Sequence, residues 1–107
     1  MAFQIPEPGG NLPENRFEFT DAKGKTHSLP KLEFLSVEAS DYLEGTSTGA
    51  IPDPGFTAFI RVFMAKAEPK VAAVVKSLTR DQLVSLRNAW YEASKVDVGE
   101  SSASEGS

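Results

Sequence analysis

Cysteine is absent from the 107 residues, so disulfides, thiolate metal sites and a cysteine nucleophile are all excluded. Histidine occurs once, as His27, and a zinc site would have to be completed by carboxylates alone, which suit that metal poorly. No apolar run approaches the roughly 18 residues needed to cross a bilayer. The opening MAFQIPEPGG lacks the basic start and apolar stretch of a secretory signal. The expectation is a soluble protein that works inside the cell, without a membrane partner. Positive charge is also in short supply: 11 basic against 15 acidic side chains leave a net charge of −4. That balance speaks against a general nucleic-acid binder.

What is present is enough for one small domain, with a 40% hydrophobic share that includes seven phenylalanines. The charge is unevenly placed. Residues 1–55 carry four basic and nine acidic side chains, residues 56–95 seven and three, and residues 96–107 only Asp97, Glu100 and Glu105. An acidic front, a basic helical part and an acidic end can complement one another within a molecule or between molecules. Solvated helix faces that happen to carry Lys and Arg explain the same pattern.

Residues 1–15 hold Pro6, Pro8, Gly9, Gly10 and Pro13, which reads as an extended, flexible arm. Arg16-Phe17-Glu18-Phe19-Thr20 alternates with the period of a half-buried strand. Asp21 to Lys25 supplies turn residues, with Gly24 suited to positive φ. Thr26 to Leu29 extends again before Pro30, predicting a β-hairpin over residues 16–29. An isolated hairpin is marginal in water, so the Phe17/Phe19 face has to pack on helices.

Leu32, Leu35, Ala39, Tyr42 and Leu43 fall at helical spacing, which predicts a helix over about 32–44, with Ser36 as a candidate N-cap and Gly45 as its stop. A loop without periodicity follows, from Gly45 to Gly55. Phe56, Phe59, Ile60, Phe63, Met64 and Ala67 then form one apolar stripe on a helix over 55–67, with Thr57, Arg61 and Lys66 turned away. Pro69 ends or kinks that helix and can open the next, expected over 70–78. Thr79 and Gln82 make a capping box for a helix over 80–95 that aligns Leu83, Leu86 and Trp90. Trp90 reads as the last anchor of a domain spanning 16–96, and the serine-rich acidic run 97–107 as a disordered tail. The fold class expected is mainly α, a small α+β domain with an N-terminal hairpin on three to four short amphipathic helices.

Signs of catalysis are few. His27 and Ser28 are neighbours on a strand, so their side chains point to opposite faces, and the sequence shows no obvious orienting acid. Glu38, Asp41 and Glu44 share a helix and read as a solvated acidic face before they read as a cation site. No glycine-rich loop has a phosphate-binding context, so no cofactor and no enzymatic activity is expected. The 70–78 helix, Thr79 and the 80–95 helix could pass for a helix-turn-helix, with Arg80, Gln82, Arg87 and Asn88 near the start of the second helix. Asp81 at its tip and the acidic net charge oppose that reading. The stripe Phe56, Phe59, Ile60, Phe63, Met64 is either core, the default in so small a domain, or a surface for a partner or for self-association.

Three stretches in order carry a family resemblance. They are the hairpin RFEFTDAKGKTHSLPKLEFLS, the helical FTAFIRVFMAKAEPKVAAVVKSLTRDQLVSLRNAW, and the ending AWYEASKVDVGESSASEGS. Together, over roughly residues 16–105, they resemble the tail assembly chaperones of long-tailed, siphovirus-type phages of actinobacteria. The resemblance implies a non-catalytic factor in the host cytoplasm that binds the tape-measure protein, helps recruit tail-tube subunits and is left out of the mature virion. The surplus of apolar helix faces and the separated charge also suit the chain to homo-oligomers. It also implies a longer product of programmed frameshifting that shares this chain's sequence. The competing classes are a small DNA-binding regulator and a structural head–tail connector.

Overall fold

The computed structural model describes the backbone of residues 2–106 and the side chains of residues 2–94. It is mostly helical, with one antiparallel hairpin, and belongs to the small α+β class. The strands are β1 (Arg16–Thr20) and β2 (Thr26–Pro30), in the register Arg16↔Pro30 to Thr20↔Thr26. Asp21 closes the turn by accepting the Lys23 and Lys25 amides on Oδ1 at 2.9 and 3.0 Å. Gly24 supplies the positive φ of 83° that the turn requires.

The first helix, α1 (Val37–Thr48), differs from expectation at both ends. Leu32–Phe34 forms a separate 3₁₀ turn, and Ser36 interrupts the chain to cap α1 by accepting the Ala39 amide. The helix runs through Gly45 and stops at Gly49, which takes the left-handed C-cap conformation with φ 88°. Gly45 serves another purpose. Ile51 folds back over it, its amide bonding the Gly45 carbonyl at 2.9 Å, and a Cβ on Gly45 would lie 2.5 Å from the Ile51 Cδ1.

Helix α2 (Phe56–Ala67) follows the predicted stripe. A 3₁₀ turn at Pro69–Val71 leads into α3 (Ala72–Lys76), only five residues long where the spacing predicts a helix over 70–78. The last helix, α4, is Arg80–Gly106, longer than the expected 80–95. Gly99 is a weak stop without a proline behind it, and Ser, Glu and Ala tolerate helix well enough for the backbone to continue. Where the sequence predicts a disordered tail over 97–107, the backbone is helical through Gly106, and the side chains there lie outside the described residues.

The core lies where α2 is covered from several sides. Ile60, Phe63, Met64 and Ala67 of α2 meet Ala39 and Tyr42 of α1, Val71 and Val75 around α3, Leu83 and Trp90 of α4, and Leu29 of β2. Aromatic rings run through it in contact: Tyr42 stacks on Phe59, Phe59 on Phe63, and Phe63 lies 5.3 Å from Trp90. Trp90 is fully buried, and its indole Nε1–H donates to the Pro30 carbonyl at 2.8 Å. Ser94, one turn later, accepts the Leu32 amide on Oγ, so α4 fastens both the end of β2 and the 3₁₀ turn after it.

The N-terminal arm is not free along its whole length. Gly9–Asn11 and Pro13–Asn15 form 3₁₀ turns, and Gly9 and Gly10 pack on Phe34 closely enough that a Cβ on either would crowd it at 3.0 Å. Asn15 donates to the Gly9 carbonyl, and Arg16 Nη1 to that of Gly10 at 2.8 Å. Residues 2–8 remain exposed, including Phe3 and Ile5.

Candidate interaction surfaces

The stripe proposed from sequence as a partner or self-association surface is divided by the fold. Ile60, Phe63 and Met64 are core, at most 2% exposed, and Phe59 lies between the rings of Tyr42 and Phe63. The correction has a simple cause: α1 and α4 both land on the stripe and cover it. Only Phe56, at the first turn of α2, stays outside, at 43% exposure.

Phe56 sits in a cationic cluster. The Arg80 guanidinium carbon lies 5.0 Å from its ring centroid and that of Arg87 lies 6.0 Å away. Arg87 is also 4.3 Å from the Tyr91 ring, and its Nη1 donates to the neighbouring Asn88 Oδ1 at 3.0 Å. Contact with the aromatic rings attracts both guanidiniums to this face without neutralising their charge. Gln82, one of the helix-turn-helix candidates, is engaged in the predicted helix cap, its Oε1 accepting the Thr79 amide at 2.8 Å. Beside it, Asp81 accepts the Thr79 hydroxyl, and this bond holds its carboxyl below the usual carboxylate range.

A second surface is apolar. The hairpin face and α4 do not close on each other completely, leaving an open groove of about 450 Å³. Phe17 and Phe19 of β1, Val74 and Leu78 from around α3, and Leu86 and Ala89 of α4 line it. Strand alternation explains the first pair: Arg16 and Glu18 take the opposite face. Asp21 and Asp81 supply carboxylates to the same groove. The hydrogen bond to His27 first, then the Lys25 amide, lowers the Asp21 pKa, so both acids are anionic at neutral pH.

The opposite face of the hairpin is polar and tightly bonded. Arg16 donates from Nε to Ser28 Oγ at 2.8 Å, from Nη2 to the Ser28 carbonyl, and pairs through Nη2 with Glu68 at 2.5 Å. On the Phe17/Phe19 face, by contrast, His27 stacks on Phe19 with ring centroids 5.3 Å apart, and its Nε2 lies 2.8 Å from Asp21 Oδ2. Sequence reasoning found no acid for His27, yet the turn brings one from six residues away. The histidine and Ser28 are nonetheless committed to different partners.

Glu38, Asp41 and Glu44 are all exposed. Among the described residues, no group of three His, Cys, Asp or Glu side chains gathers to hold a metal ion, and no helix is long and apolar enough to cross a membrane. Sequence reasoning also turned Arg61 outward, whereas its Nη2 donates to the Leu78 carbonyl at 2.8 Å, a cation at the end of α3. Comparison with protein families, characterised proteins and solved structures finds no match.

Proposed function

We propose that this chain is a non-catalytic assembly chaperone of a long-tailed phage, holding an amphipathic helical segment of the tape-measure protein and helping to recruit tail-tube subunits. The observation that carries the binding part is the open groove between the hairpin and α4. Its Phe17, Phe19, Leu78 and Leu86 side chains offer an apolar bed to one face of a helix, and Asp21 and Asp81 favour a ligand with Lys or Arg beside that face. The phage assignment rests on the ordered resemblance of the hairpin, the helical part and the ending. The proposed setting is the host cytoplasm, with the protein left out of mature particles. Homo-oligomers and a longer frameshifted product that shares this fold belong to the same reading.

Co-expression with the tape-measure protein tests it. The wild-type chain should raise the soluble yield of that partner, and Leu86→Glu, which places a third carboxylate in the groove, should abolish the gain while circular dichroism shows an intact fold. No gain in soluble partner from the wild-type chain overturns the chaperone reading. Recovery of the chain from mature particles in stoichiometric amount would make it a structural component instead.

A further inference from the structure

We infer that the Arg80–Phe56–Arg87–Tyr91 cluster is a docking surface for the acidic face of α1 on a second copy of this chain. The inference adds a surface to the self-association contained in the proposed function, and does not depend on the chaperone role.

Three observations carry it. First, two cations gather on one aromatic ring, so the cluster concentrates like charge that raises the energy of this face. Among the described residues the ion pairs are Arg16–Glu68 and Asp21–His27, and neither Arg80 nor Arg87 belongs to one. A carboxylate approaching from outside offsets that like charge. The guanidiniums already rest on aromatic rings, so less rotamer freedom is left to lose on contact.

Second, the chain carries the complementary surface. α1 buries Ala39 and Tyr42, and Leu43 is partly buried beside them. At about 100° per residue, Val37, Asp41 and Glu44 therefore lie along the opposite side, with Glu38 on its flank. Val37 is 74% exposed, and the three acids are exposed without an ion pair among the described residues. Asp41 and Glu44 stand about 4.5 Å apart along the helix axis, so one helix can present a carboxylate to each of two neighbouring guanidiniums. Val37 and Phe56 then supply an exposed apolar residue on each side of the contact.

Third, the two surfaces are not paired within one molecule: among the described residues no ion pair joins α1 to α4. The acidic stripe faces away from α2, whereas the arginines of α4 lie over the first residue of α2. Contact between unlike patches on identical chains is heterologous, and it builds rings or open filaments rather than a closed two-fold dimer.

Sedimentation of the full chain at low ionic strength tests this. Wild type should sediment as species larger than one chain, and should fall to a single chain at about 1 M salt, where the Debye length is about 3 Å. Arg80→Glu/Arg87→Glu and Glu38→Lys/Asp41→Lys/Glu44→Lys should each be monomeric, with circular dichroism confirming the fold. Mixing the two variants should restore association, because each retains the half that the other lacks. Wild type that is monomeric at low salt, variants that remain as large as wild type, or a mixture that stays monomeric would each overturn the inference. So would a monomeric wild type whose arginines instead produce a salt-sensitive shift of duplex DNA. Loss of assembly with unchanged solubilisation of the tape-measure protein would support this surface and leave the groove reading standing.

Discussion

Replacing Trp90 by Phe separates what its indole does by volume from what it does by hydrogen bonding. The side chain is fully buried and packs on Phe63, and its Nε1–H donates to the Pro30 carbonyl at 2.8 Å across 60 residues of chain. Pro30 is itself buried, so no water replaces the lost donor. Leaving a buried acceptor unpaired costs about 1–3 kcal/mol. The smaller ring leaves a void worth about 1 kcal/mol. Trp90→Phe should therefore destabilise the domain by about 2–4 kcal/mol, a drop in Tm of about 10–20 °C. Trp90→Ala also loses the stacking on Phe63 and should cost about 5 kcal/mol. Because a chain of this size has only about 5–15 kcal/mol of stability, the alanine variant is expected to be partly unfolded. Urea denaturation followed by far-ultraviolet circular dichroism reads both variants without needing the tryptophan signal. A Trp90→Phe loss below about 1 kcal/mol would refute the reasoning, since the orphaned carbonyl alone predicts at least that much.

Gly45→Ala should destabilise wild type although alanine is about 1 kcal/mol better in a helix, because its Cβ would collide with Ile51. In an Ile51→Ala background the same change should stabilise, and thermal melts of the four proteins in that cycle would show the reversal of sign. Arg16→Ala should cost about 2–3 kcal/mol, because the Arg16 and Glu68 side chains are only 16% and 19% exposed and the arginine also holds the Gly10 and Ser28 carbonyls. Limited proteolysis should then cut near Gly9 and Gly10, and resistance equal to wild type would count against the fastened turn. The Asp21 pKa is lowered in the fold, so its contribution is present above the ordinary carboxylate pKa and is lost as pH falls through the depressed value. Asp21→Asn should therefore flatten the acid limb of stability against pH, and an unchanged limb in acid titrations would contradict the bonded turn.

Much of the local structure was legible because it depends on neighbours in sequence. The Phe56–Ala67 stripe, the Thr79–Gln82 cap, the Ser36 cap and the Gly24 turn all rest on spacings of a few residues, and the structure contains each of them. The hairpin and the α+β class follow from the same short-range signals. The stop of α1 was misplaced because Gly45 and Gly49 look alike locally. Only Ile51 folding back shows that the first glycine answers a close approach and the second a left-handed cap.

The candidate surfaces were less legible, because exposure is decided by which elements meet. Five residues of the α2 stripe have the same apolar character, yet α1 and α4 cover Ile60, Phe63 and Met64 and leave Phe56 outside. Arg61 looked solvated until α3 ended within its reach, and Arg80 and Arg87 looked like ordinary helix cations until Phe56 and Tyr91 came beneath them. The sequence by itself determined the elements and their apolar faces, since those depend on periodicity and capping along the chain. Tertiary structure alone decided that Trp90 bonds Pro30, that Glu68 holds Arg16, and which apolar and charged groups remain for a partner. Those pairings join residues 52 and 60 positions apart, a separation at which no local preference acts.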